Sequence, residues 1–505
     1  MPPLPDYLKA PFRMDGFEKI QDLHRILIDK GFCEATVAQA IGSSDFTRQT
    51  DLTVALFRTA ESTPFHTLVR LFILAQPLPE SAVRNALHPL PLSELFNVGL
   101  LKADAGGIRS EAALLAYNDL YLLRDFWPEY TGKPCPSDYV LGIGPASLAV
   151  AEMTVRTPVA SALDIGTGGG YQALLAAKHC ERVTATDTNP RALNFAALNA
   201  RLNGISNITF RLGSLYEPVA NEQFDLVVSN PPFVISPEHE FEYRDNAMAG
   251  DAFCEAALRG AAQQMNEGAF GTILFNWQHH TDEDWPERPR QWLAESRCDA
   301  WLIHSRSEDP LTYAAGWLHR DYAKDPVRYQ TQLEKWLAYF DREKIGKISL
   351  GAVILRKRSS GPNWFHADQS PSESANGSCS DQILRVFAAQ DALTALSDDR
   401  ELLQKSFLLT PDHQLEHVLH SENSRWSVKQ ALLTQTKGLR ITGNVDRLVG
   451  DILAGCDGSR PLIDLVTELS GHLRVDAEKI IPSCLNVIKK LLENGFLSAN
   501  TRSSA

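Results

Sequence analysis

The chain has 505 residues, of which 44% are hydrophobic and 22% are charged, and its formal net charge at pH 7 is -13. This composition is typical of a globular protein and excludes a collagen, a coiled coil or a fully disordered chain. The acidic balance also argues against a protein that coats DNA without sequence specificity, because that function needs a basic surface. At roughly 150 residues per domain, the length predicts about three domains.

The cysteines and the apolar runs indicate where such a chain works. Its eight cysteines are scattered singly, without a CxxC pair, which is typical of reduced thiols in a cytoplasmic protein. The N-terminal residues lack the apolar core of a signal peptide. No uncharged apolar run approaches the roughly 18 residues that a membrane-spanning helix needs. We therefore expect a cytoplasmic protein with no membrane partner.

Residues 1–135 are expected to form a helical domain. Apolar residues from Phe17 to Leu27 recur at intervals of three and four, the spacing of one helix face. Further along, residues 92–117 are typical of a helix, a short turn and a wing. This order of elements predicts a winged-helix-like module, a type of domain that can bind nucleic acid.

Residues 136–358 alternate short apolar runs with helix-sized intervals. The runs are SALDIG, RVTATD, ITFRLG, FDLVVSN, GTILFNW, AWLIHS and LGAVILRK. The first five predict a parallel sheet in a doubly wound α/β domain. The last two flank a longer insert, residues 308–347, and are expected to complete the sheet as a closing pair.

The composition changes after this domain. Residues 359–380 are rich in Ser, Pro, Gly and Asn, which predicts a linker. Helical spacing returns in residues 381–505, where we expect two short helices, a longer helix and a wing strand. The predicted fold class is therefore α/β, with a doubly wound Rossmann-like sheet between helical, winged-helix-like N- and C-terminal domains.

The strongest local signal is a glycine turn that follows the first run, in which Gly166, Gly168 and Gly170 come after Asp164. Glycines permit unusual φ angles and a close approach of a ligand, and the helix that follows offers unpaired N–H groups. The spacing differs from the GxxxxGK of a P-loop and from the GxGxxG of a dinucleotide site. The acid would repel a pyrophosphate and would favour a cationic ligand.

This DxGxGxG arrangement resembles motif I of class I S-adenosylmethionine-dependent methyltransferases, and the resemblance implies S-adenosyl-L-methionine as the cofactor. In that family the first acid faces the amino-acid end of the cofactor. Asp187 ends the next run and is expected to receive the ribose hydroxyls. Where the family usually places an acid for the adenine amino group, this chain has Ser214. The predicted cofactor residues are Asp164, Gly166, Thr167, Gly168, Gly170, Asp187, Ser214 and Asn230.

The fourth run ends at Asn230-Pro231-Pro232-Phe233, the predicted catalytic residues. Two prolines end the strand at its carboxyl edge, where doubly wound folds bind ligands. The Asn230 side chain and the Pro231 carbonyl can both accept hydrogen bonds from one NH2 group, and Phe233 offers a flat face for stacking. The tetrapeptide resembles the [DN]PP[FYW] motif of amino-group methyltransferases, which include adenine-N6 enzymes and the glutamine-N5 methyltransferases of release factors.

Further similarities lie downstream of the tetrapeptide. A YRD segment at 243–245 and the pair Asn276-Trp277 are similar to those of a bacterial group of three-part methyltransferases. Tyr243 and Arg244 are candidate substrate contacts, and a salt-bridged loop is the alternative reading of the same segment. No histidines have the HExxH spacing of zinc enzymes, so no metal is expected.

We expect an enzyme that transfers a methyl group to a planar NH2 group of a macromolecule. A protein glutamine side chain is the favoured acceptor, because no concentration of lysine and arginine stands out in the flanking domains. One alternative is an adenine or guanine amino group of RNA or DNA. Another is a nucleic-acid-binding regulator whose methyltransferase-like domain only senses the cofactor.

Overall fold

The computed structural model describes residues 5–14, 19–238, 241–245, 248–280, 283–322, 325–370, 375–422 and 425–499. The chain divides into two compact units, of which the first comprises Met1–Ala151 with Arg156–Asp368 and the second Glu152–Val155 with Gln369–Ala505. Within the described ranges, no helix combines the length and apolarity required to cross a bilayer.

The first unit opens with six helices and two β-hairpins. The helices are α1 (Ile20–Asp29), α2 (Glu34–Ile41), α3 (Leu52–Arg58), α4 (Pro64–Phe72), α5 (Glu80–Ala86) and α6 (Leu92–Val98). The hairpin strands are β1 (Leu101–Asp104), β2 (Gly107–Ser110), β3 (Ala113–Tyr117) and β4 (Leu120–Arg124), and they are followed by α7 (Pro128–Thr131) and α8 (Pro145–Met153). Helix α6 leads directly into the β1–β2 hairpin, the local order expected for residues 92–117. The winged-helix assignment itself stays a prediction.

Eight strands form the main sheet of this unit. They are β5 (Val159–Ile165), β6 (Cys180–Asp187), β7 (Ile208–Leu212), β8 (Phe224–Ser229), β9 (Met265–His279), β10 (Cys298–Glu308), β11 (Lys347–Lys357) and β12 (Phe365–Gln369). Their order across the sheet is β7-β6-β5-β8-β9-β11-β10-β12. Strands β5 to β9 pair in parallel, and β11 is antiparallel to both β9 and β10. The doubly wound α/β fold is confirmed, and the last two predicted strands do form a closing pair.

Helices alternate with these strands, and one of them illustrates how the local sequence specifies the start of a helix. The helices are α9 (Tyr171–Ala176), α10 (Pro190–Leu202), α11 (Ala252–Gln263), α12 (Glu287–Leu293), α13 (Pro310–Tyr322) and α14 (Pro326–Arg342). Helix α10 has proline at its first position, and the Asn189 side chain accepts hydrogen bonds from two N–H groups of the first turn; both features favour a helix start. The chain runs from β5 out to β7 on one side and returns to β8 on the other. This creates a switch point at the carboxyl ends of β5 and β8.

Residues 359–380 differ from the expected linker, because they contribute the edge strand β12. The N–H of Ala300 donates to the carbonyl of Trp364 at 2.9 Å, just before this strand. Phe365 packs against the apolar cluster of the sheet, and the guanidinium carbon of Arg290 lies 4.4 Å from its ring centroid. The strand is short and mostly polar, so it lacks the apolar alternation that reveals a strand in sequence.

The N-terminal helices share a hydrophobic core with α10. The rings of Phe12 and Phe195 meet edge to face with centroids 4.9 Å apart. The buried Asn194 side chain accepts from the Phe12 N–H and donates to the Phe12 carbonyl, each at 3.0 Å. Asn199 makes the same two bonds with Leu123, at 2.7 and 3.0 Å. Since buried backbone groups need partners, these amides fasten the N-terminal segments to the sheet domain.

The second unit combines helices with two small sheets. Its helices are α15 (Ser380–Thr394), α16 (Arg447–Ala454), α17 (Leu462–Leu473) and α18 (Ala477–Glu493). Its strands are β13 (Ser406–Leu409), β14 (His413–Glu422), β15 (Arg425–Gln435), β16 (Thr442–Val445), β17 (Asp457–Pro461) and β18 (Leu497–Ala499), in the orders β17-β13-β18 and β14-β15-β16. The predicted helices and the final strand after residue 443 are present.

The β14-β15-β16 meander differs from the helical structure expected for this part of the chain. Leu415 and Trp426 are 46% and 72% exposed, and residues 414–421 are exposed throughout. Alternation between apolar and polar residues reveals a strand when one of its faces is buried. The outer part of the ribbon exposes both faces and lacks this pattern, whereas residues 431–435 alternate between buried and partly buried positions. The sequence did not predict these strands because most of their length lacks the alternation.

We expect Asn194→Ala to lower the free energy of unfolding by about 2–4 kcal/mol, because it leaves several buried backbone groups of the N-terminal segment unpaired. Urea unfolding followed by circular dichroism measures the change. Asn97→Ala is the control, since Asn97 is exposed on α6 and should alter stability by less than about 0.5 kcal/mol. Equal effects of the two substitutions would contradict the fastening role of Asn194.

Candidate active site

A cavity of about 380 Å³ lies where strands β5, β6 and β8 end. Most of the predicted site residues line it, together with residues 139–143, which come before α8. The lining includes Gly166, Thr167, Gly168, Asp187, Ser214, Asn230, Pro231, Pro232 and Tyr243. Four predicted residues are not part of this lining: Asp164, Gly170, Phe233 and Arg244.

The glycine turn lies directly against the proline tetrapeptide. Gly166 has a φ of 68°, and a Cβ placed on it would lie 3.7 Å from the Cα of Pro231. Gly170 has a φ of 89°, and its Cβ would lie 3.0 Å from the Cβ of Ala196 on α10. The positive φ angle favours glycine at both positions, and at Gly170 the short distance to Ala196 favours it as well. Gly166 therefore lets the turn face the cavity, whereas Gly170 lets α9 pack closely on α10.

Asp164 stabilises the glycine turn through hydrogen bonds to Thr167 and Ala173. Its Oδ2 accepts hydrogen bonds from the Thr167 hydroxyl at 2.6 Å and from the Ala173 N–H at 3.0 Å, and the residue is 1% exposed. Its Oδ1 has no hydrogen-bond partner among the described residues. Burial raises the pKa of Asp164 to about 7. A direct contact between Asp164 and the cofactor stays a prediction.

Asp187 connects two of the cavity walls. Its Oδ2 accepts a hydrogen bond from the Gly168 N–H at 2.8 Å, and its Oδ1 accepts one from the Asn189 N–H at 2.9 Å. The Asp187 carbonyl accepts from the Gly213 N–H at 3.0 Å, which brings Ser214 to the same wall. Burial raises the pKa of the Asp187 carboxyl above its ordinary value.

Asn230 presents an unused acceptor at the cavity. Its Nδ2 donates to the Ser147 hydroxyl at 3.1 Å, while its Oδ1 is buried and has no partner among the described residues. Gln172 in turn donates to the Ser147 carbonyl at 2.6 Å. Ser147 is not among the predicted site residues, although it ends the segment 139–147, which the family resemblance places over the methionine end of the cofactor.

Phe233 and Arg244 are held away from the cavity. The Phe233 ring meets Trp317 with centroids 6.5 Å apart. Arg244 is 1% exposed and forms ion pairs with Asp245 at 2.9 Å and with Glu238 at 3.7 Å. This geometry matches the salt-bridged loop that was the alternative reading of the segment. Contacts of Phe233 and Arg244 with a substrate stay predictions.

The charged side chains that line the cavity are all acidic. They are Asp187, Glu242 and Asp245, and no lysine or arginine belongs to the described lining. Burial and the neighbouring Asp138 raise the pKa of Glu242, which sequence reasoning missed. Such a lining favours a cationic ligand and disfavours phosphate groups.

Three family models match the chain. The "Methyltransferase small domain" matches residues 143–276, which include the glycine turn, Asp187 and the proline tetrapeptide. Two models described as domains of unknown function match residues 31–111 (DUF7059) and 385–499 (DUF7782). The matched methyltransferase region thus coincides with the part of the first unit that forms the cavity.

Curated relatives decide the family. The release factor glutamine methyltransferase of Salmonella typhimurium is 30% identical over 217 residues, which are 38% of this chain and 73% of that protein. The chain belongs to the same methyltransferase family. The corresponding protein of Xylella fastidiosa (strain Temecula1) is 48% identical over 75 residues, 14% of this chain and 26% of that protein. The family predicted from the two motifs is confirmed.

Each of these matches covers less than half of this chain. The chain spans between 26% and 47% of the length of the first three curated relatives. Among solved structures, an rRNA methylase from Streptococcus thermophilus is similar over 42% of this chain and 94% of that chain, with 14% identity and a TM-score of 0.24.

Asp164→Asn should remove a pH dependence of stability. The folded-state pKa of about 7 lies above the ordinary value of 3.8, so between these values the folded protein keeps a proton that the unfolded chain has lost. The parent's free energy of unfolding should fall from about pH 4 to pH 7 and then level off, with Asp164 contributing at most about 1.4 kcal/mol per pH unit.

Asparagine carries no such proton, and its carbonyl can still accept from Thr167 and Ala173. Urea unfolding of both proteins between pH 5 and pH 8 tests this expectation. The stability of the variant relative to the parent should rise up to about pH 7. A difference that stays constant over this range would contradict a raised pKa at Asp164.

Proposed function

We propose that the chain is an S-adenosylmethionine-dependent N-methyltransferase that modifies the side-chain amide of a protein glutamine. The observation that carries this proposal is the buried, unpartnered Oδ1 of Asn230 at a cavity that the glycine turn also lines. An unpaired buried acceptor is costly, and an NH2 group of a substrate would satisfy it. The Pro231 carbonyl, from the same strand exit, offers a second acceptor.

The residues present fit the cofactor. S-adenosylmethionine carries a sulfonium and an ammonium group, and the charged residues of the described lining are acidic. The glycine turn would approach the amino-acid end of the cofactor, Asp187 would receive the ribose hydroxyls, and Ser214 would lie near the adenine. When bound, the cofactor supplies a methyl group that is activated by the positive sulfur.

The chain's own contribution is to position a weak nucleophile. An amide nitrogen shares its lone pair with the neighbouring carbonyl, so it attacks poorly when planar. Hydrogen bonds from its two N–H groups to Asn230 Oδ1 and the Pro231 carbonyl would turn the lone pair toward the methyl carbon. Bound S-adenosylmethionine would supply the methyl carbon, whose bond to sulfur would break as the N–C bond formed, and the nitrogen would release one proton to solvent. Such in-line transfer depends on reacting atoms held about 3–3.5 Å apart.

Two observations favour a protein amide over a nucleic-acid base. Proteins that bind nucleic acid neutralise its phosphates with lysine and arginine, and neither residue type lines the described part of the cavity. In addition, the curated relatives from Salmonella typhimurium and Xylella fastidiosa are both named release factor glutamine methyltransferase.

The acceptor class is tested with tritium-labelled S-adenosylmethionine. The chain is incubated with a purified bacterial release factor and, separately, with total RNA and total DNA. We expect label in the release factor that survives nuclease and is lost on protease treatment. Label that appears only in a nucleic-acid fraction would overturn the protein acceptor, and transfer to none of the three would contradict the proposed activity.

Asn230→Ala should lower methyl transfer by a factor on the order of 10², the usual loss when one preorganised polar contact is removed. Cofactor affinity, measured by calorimetry, should change by less than about threefold, because the proposed contact is to the acceptor. Single-turnover transfer of labelled methyl measures the rate. A matching loss of cofactor affinity would mean that Asn230 serves the cofactor instead.

Ser147→Ala distinguishes the contribution of the Asn230 side-chain nitrogen from that of its oxygen. It removes the partner of Nδ2 and leaves the Oδ1 acceptor in place. We expect a loss of transfer of less than about tenfold, clearly smaller than that of Asn230→Ala. Equal losses in the two variants would assign the effect to the Ser147 contact and contradict a role for the free oxygen.

A further inference from the structure

The helical hairpin α13–α14 covers the residues that leave the proline tetrapeptide. Val234 and Ile235 directly follow Phe233, and both are buried in one apolar cluster with this hairpin. Members of the cluster from α13 and α14 include Tyr313, Leu318, Trp336 and Phe340. The hairpin is the insert between β10 and β11. A segment distant in sequence therefore packs against the residues that follow the proposed acceptor site.

One hydroxyl of this hairpin contacts the exit directly. The Tyr313 hydroxyl accepts a hydrogen bond from the Ile235 N–H at 3.0 Å. It also accepts one from the side-chain Nδ2 of Asn276, on β9, at 2.7 Å. Tyr313 and Asn276 are 4% and 2% exposed. Burial raises the pKa of Tyr313 far above its ordinary value, so the hydroxyl stays neutral and keeps a fixed set of partners.

These contacts restrain the tetrapeptide at its far end. At its near end, Asn230 follows β8, where the Ser229 hydroxyl donates to the Ile165 carbonyl at 2.9 Å. Beyond the tetrapeptide, the Val234 N–H makes a long bond of 3.4 Å to the Arg244 carbonyl. The bond from Ile235 to Tyr313 is shorter than this one by 0.4 Å.

We propose that Tyr313 is a positioning residue for methyl transfer, which sets the direction of the Pro231 carbonyl and the Asn230 amide by holding the Ile235 N–H. This rests on the proposed function, because it assigns Tyr313 to the acceptor site of that reaction. Tyr313 is not among the described residues that line the cavity, so it would act through the backbone of the tetrapeptide. Its effect reaches the acceptor nitrogen through four residues of backbone, two of which are prolines with fixed φ.

The hairpin offers a matched control in Tyr339. It belongs to the same apolar cluster, and its hydroxyl accepts a hydrogen bond from the Gly250 N–H at 2.7 Å. Tyr339→Phe thus removes a buried hydroxyl and one backbone bond from the same hairpin, as Tyr313→Phe does, but at a segment that lies beyond the tetrapeptide. A general weakening of the hairpin would affect both variants alike.

Two measurements on the full chain test the proposal. Amide hydrogen exchange, read by mass spectrometry, reports on residues 230–238, where Pro231, Pro232 and Pro237 leave few exchangeable groups. Tyr313→Phe should speed exchange in this segment by about tenfold or more, whereas Tyr339→Phe should leave it unchanged. Transfer from labelled S-adenosylmethionine to purified release factor should fall about tenfold to a hundredfold in kcat for Tyr313→Phe, with cofactor affinity within about twofold of the parent.

The outcomes separate this proposal from the proposed function. Unchanged exchange at residues 230–238 in Tyr313→Phe, or equal losses of kcat in the two variants, would overturn the positioning role. A parent chain that transfers no methyl group would contradict the proposed function, while the exchange result would still show whether Tyr313 holds the segment.

Discussion

The pairing of β5 with β8 is the constraint on which the site depends. Ile165 lies opposite Ser229 in this parallel ladder, so the two strands end at the same level and their next residues enter the same space. One strand continues into a glycine turn and the other into a proline tetrapeptide. Because parallel neighbours share a carboxyl edge, the glycine turn and the proline tetrapeptide meet there without any further element. The separation between them is set by the spacing of adjacent strands, about 4.8 Å.

The sequence predicted those parts of the site whose chemistry is local. Glycine and proline restrict or free the backbone by themselves, so Gly166 and Pro231 are visible in a single sequence. The direction of a side chain depends on packing against residues that are distant in sequence. The sequence therefore did not predict the directions of the Phe233 and Asn230 side chains. Phe233 meets Trp317, and Asn230 finds Ser147 across 83 residues of sequence. Neither contact has a local signal.

The fold shows the same division. Seven strands of the main sheet, β5 to β11, were predictable because each coincides with a short apolar run of the sequence. The edge strand β12 is mostly polar, and residues 414–421 and 426–430 of the β14-β15-β16 meander are exposed throughout. Most of this structure therefore does not match the pattern of a buried or half-buried strand. The helical rhythm of the N-terminal residues was also predictable, whereas their union with α10 in one core was not. That union depends on asparagines of α10, and an asparagine in a helix sequence reveals nothing about its partner.

The asparagines of α10 have a consequence for how such a protein can change over time. Asn199 bonds to Leu123 and also donates to the Gly169 carbonyl in the glycine turn, at 2.9 Å. One amide therefore joins the leading helical region to the loop that faces the cavity. A recombination event that replaced the leading helical region with an unrelated one would remove the Leu123 partner of this amide and disturb the glycine turn. We therefore expect substitutions in either region to preserve the hydrogen bonds of Asn199.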